Sequence, residues 1–176
     1  MKRTLRLVLF IFSVMKFNPL SAQTVDYSVH ANIIYRFTKY VEWPASSKTG
    51  EFVIGFIGDT PLFEYLQTAI LNKTVGGQKI IIRKFTGNET AFNCEILYIS
   101  EDESGKLKRI VATTKDASIL LVTESEGLGN KGTCINFIIE DEHLTLEFNG
   151  HNLAERKLKV ASELLSLGKM IDENNK

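Results

Sequence analysis

The stretch that decides the fold is Phe52-Val53-Ile54-Gly55-Phe56-Ile57-Gly58, followed at once by Asp59-Thr60-Pro61. The first of these segments is apolar at every position, with Gly55 allowing a neighbour to approach closely. This pattern predicts a central strand covered by helices on both faces. The polar side chains and the proline of the second segment predict the start of a helix. The apolar face of that helix is supplied by Leu62, Leu66, Ala69 and Ile70.

The alternation of strand and helix continues outward from this unit. Gly76-Gly77 leads into a second strand over residues 79–85, which completes a βαβ unit and predicts parallel pairing with a right-handed crossover. A strand at 96–99, a helix at 104–113 and a strand at 117–123 repeat the order. We therefore predict one α/β domain of three layers, with a mostly parallel central sheet and helices on both faces.

The end of the chain departs from this alternation. Two strand-like runs at 135–140 and 143–148, joined by a tight acidic turn, predict an antiparallel hairpin. On one face of it lie Leu144, Leu146 and Phe148. Residues 160–171 carry apolar side chains at Leu164, Leu165, Leu167 and Met170. This spacing predicts a closing helix, followed by a polar tail at 172–176.

An amphipathic helix precedes all the strands. Its apolar side chains recur at every fourth position, at Val25, Val29, Ile33, Phe37 and Val41, with Ile34 and Tyr40 widening the stripe. The helix must end by Trp43-Pro44, because a proline cannot continue the hydrogen-bond ladder and disfavours a helical residue before it. We expect Trp43 to be buried against the sheet. An exposed helix face or the hairpin is the candidate partner surface in that case. If Trp43 is instead exposed, this stretch, with Tyr40, Glu42 and Trp43, becomes the first candidate in place of the hairpin.

The first residues predict export. Lys2, Arg3 and Arg6 precede an apolar run at 7–15, and Leu20-Ser21-Ala22 offers a small-residue cleavage site, so 1–22 is interpreted as a signal peptide. The apolar run is shorter than the ~20 residues that span a bilayer. Cleavage removes four of the 21 basic residues and none of the 21 acidic ones, which leaves a formal charge of −4. This charge makes nucleic acid an unsuitable partner.

Export changes the meaning of the two cysteines, Cys94 and Cys134. Each precedes a predicted strand, so neighbouring strands would place them within reach of a disulfide, which an oxidising compartment favours. Two buried free thiols are the alternative, since sequence alone does not give the distance between them.

Three motifs suggest chemistry that their surroundings do not support. Residues 127–132 match the Gly-x-Gly-x-x-Gly dinucleotide fingerprint, but a strand-like run follows them in place of the required helix. His143, His151 and Glu147 could form a metal site, but solvated side chains on a polar hairpin face account for them equally well. No spacing typical of a catalytic nucleophile accompanies the three histidines. We therefore predict neither an enzyme nor a cofactor.

Asp59 and Thr60 are the candidate ligand residues. They stand where a helix begins after a central strand, a position at which open α/β sheets often bind ligands and backbone N–H groups hold small anions. Simple capping of the helix is the alternative, because the Asp59 carboxylate repels an anion.

Several segments, taken in their order, resemble the YfiR family of bacterial periplasmic proteins over about residues 25–171. These segments are Tyr35-Arg36-Phe37-Thr38-Lys39-Tyr40-Val41-Glu42-Trp43-Pro44, Phe52-Val53-Ile54-Gly55, Gly58-Asp59, Gly132-Thr133-Cys134-Ile135-Asn136-Phe137, Leu146-Glu147-Phe148-Asn149 and Leu158-Lys159-Val160-Ala161-Ser162-Glu163-Leu164-Leu165.

The resemblance implies a compact α/β domain without catalytic residues, often a homodimer. It implies a protein that restrains an inner-membrane signalling protein from the periplasm, such as a diguanylate cyclase of cyclic-di-GMP signalling or a sensor kinase. It also implies relief by an outer-membrane lipoprotein. The best-known members carry additional cysteines, whereas this chain has two. A soluble periplasmic protein that binds a small ligand or anion through Asp59 and Thr60 is the alternative function.

Overall fold

The structure is a computed structural model and describes residues 26–171. The predicted signal peptide and the polar tail lie outside the described residues. The strands are β1 Val41–Glu42, β2 Phe52–Ile57, β3 Thr74–Val75, β4 Gln78–Phe85, β5 Ile96–Ile99, β6 Leu120–Thr123, β7 Ile135–Glu140, β8 His143–Asn149, β9 Lys159–Val160 and β10 Gly168–Ile171. The α-helices are α1 Tyr27–Tyr40, α2 Leu62–Ala69, α3 Leu107–Thr113, α4 Gly150–Glu155 and α5 Ser162–Leu165.

Eight strands form one sheet in the order β10-β8-β7-β6-β5-β2-β4-β3. Neighbours from β4 through β7 are parallel, as are β8 and β10, whereas β7–β8 and β3–β4 are antiparallel. The strands β2, β5 and β6 are buried at every residue, which is why the sequence shows unbroken apolar runs there. The predicted α/β class and mostly parallel sheet are confirmed.

The helices cover the sheet on both faces. On one face, the rings of Phe56 in β2 and Phe63 in α2 lie 5.5 Å apart, and those of Phe37 in α1 and Phe137 in β7 lie 6.1 Å apart. On the other face, Ile57 lies beside Gly87. Gly87 in turn accepts a 2.9 Å hydrogen bond from Arg109 of α3. This layering places the carboxyl ends of the parallel strands at one edge of the domain.

The apolar face of α1 differs from the predicted one. Phe37 and Ile34 are buried as expected, but His30 and Ala31 are buried as well, whereas Val29 is 42% exposed. The helix turns about 100° per residue, so a strict four-residue repeat rotates about 40° further around the helix at each step. The predicted stripe therefore moves around the helix and away from the sheet. The face of α1 that is buried carries His30, Ala31, Ile34 and Phe37.

The end of α1 includes a short strand that the sequence did not suggest. The helix stops at Tyr40, and Val41 enters an extended conformation that pairs antiparallel with Val160 of β9. The carbonyl of Tyr40 also accepts a 2.9 Å hydrogen bond from the backbone N–H of Ala161. The helix thus ends against the chain that follows β9, before the proline is reached.

The predicted closing helix over 160–171 is wrong. The helix α5 spans only Ser162–Leu165, and the chain then forms β10 beside β8. Gly168 begins this strand, and a Cβ atom there would overlap the carbonyl oxygen of Leu146. A glycine at this close approach suits a strand and disfavours a helix interior. The pairing of β10 with β8 therefore outweighs the helix-like spacing of the apolar residues in this segment.

The hairpin prediction is confirmed. The strands β7 and β8 are joined by Asp141 and Glu142, both with positive φ values of 49° and 64°, as a two-residue hairpin turn requires. Leu146 and Phe148 are buried, and Leu144 is half-buried. Within residues 26–171, no helix is long and apolar enough to cross a membrane.

Candidate functional site

A cavity of about 210 Å³ opens at the carboxyl edge of the parallel strands. The strand β6 ends beside the first residues of β7, so the rest of β7 runs on past it and forms one wall. The first turns of α1 lie over this wall, because the rings of His30 and Phe137 are 4.6 Å apart. Glu101 and Glu124, which follow β5 and β6, line the opposite side. The cavity thus occupies the edge at which α/β sheets commonly bind ligands.

His30 lines this cavity with an uncharged imidazole ring. Its Nδ1 lies 3.1 Å from the carbonyl oxygen of Asp26. Since a carbonyl can only accept, Nδ1 carries the proton and Nε2 is left as an acceptor. Burial lowers the pKa of His30, which favours the uncharged ring. His30 therefore offers the cavity an aromatic face and no positive charge.

Carboxylates dominate the electrostatics of the cavity. Glu101, Glu124 and Glu126 line it, and no lysine or arginine among the described residues does. Burial raises the pKa of Glu124, and the negative charges of Glu101 and Asp102 raise it further. None of the four ion pairs found in the described part of the chain includes a carboxylate that lines the cavity. The site that these residues form is therefore acidic.

One buried hydroxyl group that lines the cavity, the Oγ of Ser125, lacks a hydrogen-bond partner within residues 26–171. An unpaired buried hydroxyl costs about 1–3 kcal/mol. The hydroxyl of Tyr98, whose side chain is fully buried, lies beside the side chains of Glu124 and Thr60. Burial and the neighbouring Glu124 carboxylate raise the pKa of Tyr98.

Asn136 fixes the loop that carries the acidic residues. Its Oδ1 accepts hydrogen bonds from Thr123 Oγ1 at 2.7 Å and from the Ser125 N–H at 3.3 Å. Its Nδ2 donates to the Ser125 carbonyl and to Glu147, both at 2.9 Å. Asn149 holds the glycine-rich part of the same loop by donating to the Gly129 carbonyl at 3.1 Å. These hydrogen bonds hold the loop in place beside the cavity.

Residues 127–132 are followed by the strand β7 and not by a helix. This confirms the prediction that they do not form a dinucleotide-binding motif.

The structure separates the two predicted ligand residues. Asp59 points to solvent and forms an ion pair with Lys84 at 2.9 Å. Thr60 accepts a 3.3 Å hydrogen bond from the N–H of Leu62, as a cap does, and its side chain lies near Tyr27 and Tyr98. Thr60 therefore borders the cavity, whereas Asp59 does not line it. The surrounding carboxylates disfavour the anion that was predicted there.

The side chain of Trp43 lies in the core of the domain. It is 5% exposed, its ring lies edge-on to Phe52 at 5.1 Å, and its Nε1 donates to the Glu95 carbonyl oxygen at 3.2 Å. The prediction that Trp43 is buried against the sheet is confirmed, and its candidacy for a partner surface is wrong. Tyr40 and Glu42 are exposed beside it. A second cavity, of about 290 Å³, lies next to Glu42 and Trp43.

Of the two alternatives for the cysteines, the structure has the buried free thiols, because Cys94 and Cys134 are both free and buried. Cys94 precedes β5 and Cys134 precedes β7, and β6 lies between those strands. Two strand spacings amount to ~9.5 Å, which exceeds the Cα separation of a disulfide. Burial raises the pKa of Cys134 to about 11 and that of Cys94 still further. Both thiols are therefore unreactive core residues.

The hypothetical metal ligands do not converge. Glu147 bonds to Asn136, while His151 lies 3.4 Å from Glu155 in α4. His143 stands at the far end of β8, opposite Glu140. No group of three or more histidine, cysteine or acidic side chains suited to a metal ion occurs among residues 26–171.

Sequence reasoning missed the cavity itself. The residues at and behind it come from four parts of the chain, and none of them belongs to a short motif that marks a ligand site. They are Tyr27 and His30 of α1, Tyr98 of β5, Glu124 after β6 and Asn136 of β7. The one usable signal was positional. Polar and acidic side chains follow β2, β5 and β6 directly, and the carboxyl ends of parallel strands meet at one edge.

Comparison with known proteins identifies the family by sequence and the fold by structure. The sequence model of the YfiR/HmsC-like family, DUF4154, matches residues 27–169. No curated protein matches the chain. A crystal structure described as a conserved domain protein from Vibrio cholerae O1 biovar El Tor is similar, with a TM-score of 0.59 and 10% sequence identity. The match covers 82% of this chain and 60% of that one, and at this identity it shows the fold alone.

Proposed function

Because this chain belongs to the YfiR/HmsC-like family, we propose that it is a non-enzymatic regulator that binds and restrains the periplasmic part of an inner-membrane signalling protein. The family is one of regulators of signalling, and the match over residues 27–169 spans nearly all of the described chain. This match is the observation that carries the proposal. The basic and apolar pattern of residues 1–22 supports a periplasmic location.

The proposed partner is a diguanylate cyclase or a sensor kinase with a periplasmic domain. An outer-membrane lipoprotein would relieve the restraint by competing for this chain, which would act as a monomer or as a homodimer. The free, buried cysteines mean that restraint here does not depend on an internal disulfide.

Tyr40 and Glu42 are the proposed contact residues. Tyr40 is 38% exposed at the end of α1, and Glu42 is exposed on β1. The backbone beneath them is held by the pairing of β1 with β9 and by the core side chain of Trp43. A tyrosine on a rigid backbone loses little conformational entropy on binding and is a frequent anchor of interfaces.

The test measures binding to the periplasmic domain of a candidate diguanylate cyclase or sensor kinase. We expect Tyr40→Ala and Glu42→Ala to weaken that binding, with about tenfold or more for Tyr40→Ala, the loss that marks an interface anchor. Tyr65→Ala is the matched control, since Tyr65 is a tyrosine of α2 that is at least as accessible, at 51% exposure. Equal effects of Tyr40→Ala and Tyr65→Ala would contradict this surface.

The cavity at the carboxyl edge favours a second candidate function, that of a small-ligand binding protein. Its acidic wall and the unpaired hydroxyl group of Ser125 are features of a binding site, and neither is needed to contact a protein partner. Calorimetric titration with a ligand of the right chemistry tests this candidate.

A further inference from the structure

We propose that the cavity between α1 and the carboxyl ends of β5 and β6 binds a compact organic cation, namely a protonated amine attached to a small apolar body. This inference deepens the small-ligand candidate and does not depend on the binding of a membrane partner. It is carried by the charge of the cavity, by the unpaired hydroxyl group of Ser125 and by the apolar wall.

The charge of the cavity selects a cation. Glu101, Glu124 and Glu126 line it, no lysine or arginine of residues 26–171 does, and burial lowers the pKa of His30, which favours the uncharged ring. A recess that is lined by charges of one sign and backed by apolar walls concentrates ions of the opposite sign. An anion would be repelled, and a neutral ligand would leave the carboxylates unpaired.

The hydroxyl group of Ser125 points to a ligand that donates hydrogen bonds. Its oxygen is buried, lines the cavity and has no partner in the described part of the chain. Glu124, the preceding residue, also lines the cavity. An ammonium group has three donors and no acceptor, so it can serve a carboxylate and a hydroxyl oxygen at the same time.

The apolar wall of the cavity favours a ligand with an apolar organic body. Phe137 and Leu144 present apolar surface, and Ile139 is 44% exposed at the mouth of the cavity. The aromatic ring of Tyr27, which also lines the cavity, attracts a cation through its face. A hydrated metal ion would gain nothing from this wall, whereas an amine with an aromatic or aliphatic body would use both sides.

The experiment is calorimetric titration of the purified protein with benzylamine at pH 8, where the amine remains protonated. We expect saturable binding at one site, with benzyl alcohol and benzoate binding at least tenfold more weakly. The isosteric Glu124→Gln should weaken benzylamine binding about tenfold or more, because a hydrogen bond to a charged group contributes roughly 1.5–3 kcal/mol. Glu51→Gln is the matched control, since exposed Glu51 precedes β2 at the opposite edge of the sheet. It should bind benzylamine as the unmodified protein does.

Three results would overturn the proposal. They are no benzylamine binding to the unmodified protein, equal affinities for benzylamine and benzyl alcohol, and unchanged affinity in Glu124→Gln. Equal affinities for benzylamine and benzyl alcohol would mean that the cavity binds an apolar ligand without recognising its charge. That result would overturn this inference but not the small-ligand function. Should Glu124→Gln fail to fold, Glu101→Gln replaces it, because the side chain of Glu101 is exposed. The same loss of benzylamine affinity is expected there, and unchanged affinity would again overturn the proposal.

Discussion

The indole Nε1 of Trp43 donates a hydrogen bond to the carbonyl oxygen of Glu95, 3.2 Å away and 52 residues later in the chain. The carboxylate of the same glutamate accepts a 2.6 Å hydrogen bond from the N–H of Val53. Trp43 and Glu95 together tie the end of α1 to the starts of β2 and β5. The segment before the first long strand is therefore joined to the centre of the sheet.

Trp43→Ala should lower the free energy of unfolding by about 3–5 kcal/mol, because it leaves a large cavity and an unpaired Glu95 carbonyl. Tyr40→Ala is the control and should change stability by no more than about 0.5 kcal/mol, as exposed positions usually do. Urea denaturation monitored by circular dichroism measures both. A loss below about 1.5 kcal/mol for Trp43→Ala would mean that Trp43 does not anchor the fold.

The thiols of Cys94 and Cys134 should resist alkylation in the native protein and react only after unfolding. Both are buried, and burial raises their pKa values well above neutrality, so little thiolate forms. Intact mass after alkylation in denaturant should show two modified cysteines whether or not reductant is present. Modification that requires reductant would reveal a disulfide and contradict the arrangement of β5, β6 and β7.

Gly168→Ala should destabilise the protein by roughly 1–3 kcal/mol, because the new Cβ overlaps the Leu146 carbonyl and forces β10 away from β8. The matched control is Gly105→Ala, since nothing lies within 4 Å of a Cβ atom at that position. Thermal unfolding compares the two variants. Similar melting temperatures for both would show that β10 is not packed against β8.

The C-terminal segment and α1 show why parts of the fold could not be read from the sequence. The central strands are apolar on both faces, a pattern that few structures besides a covered parallel sheet produce, and they were predicted correctly. The leucines at 164, 165 and 167 suit a helix as well as they suit a turn followed by an edge strand. Only the close approach of Gly168 to Leu146, a contact across the sheet, selects the strand. The strands β1 and β9 could not be predicted from the sequence either, because a strand of two residues is too short to show an alternation of apolar and polar side chains.

The cavity was hidden for a different reason. Its walls combine the first turns of α1 with residues that lie about 70–110 positions later, so no local pattern reports their contact. Asp59 and Thr60 follow a central strand, which places them at the same edge of the sheet as the cavity. The acidic character of that edge leaves no signal in the sequence around them, because Glu101 and Glu124 reach it from other strands.

Stability should fall as the pH drops below about 6.5, with His30 as one cause. Burial lowers the pKa of His30 in the folded state, so the unfolded chain takes up the proton first and the stabilising contribution is lost through this range. The groups that face His30 are Asp26, Tyr27 and Phe137, and the Asp26 charge moderates the shift.

The measurement is the urea midpoint of the unmodified protein and of His30→Gln at pH 7 and pH 5.5. The decline should be smaller in His30→Gln. Glu124 acts in the opposite direction, because its raised pKa gives stability that is full below about 4.5 and is lost as the pH rises. Identical declines in the two proteins would contradict the neutral, buried state of His30.

The most direct test of the regulatory account is to reconstitute a candidate inner-membrane diguanylate cyclase or sensor kinase that has a periplasmic domain. The protein is placed in nanodiscs, and its output is measured as cyclic-di-GMP formation or autophosphorylation while this chain is added. The account predicts a saturable fall in output, with Tyr40→Ala requiring about tenfold more protein for the same effect and Tyr65→Ala behaving as the unmodified chain. Output that stays constant at concentrations saturating the binding measured with the isolated periplasmic domain would contradict the central claim.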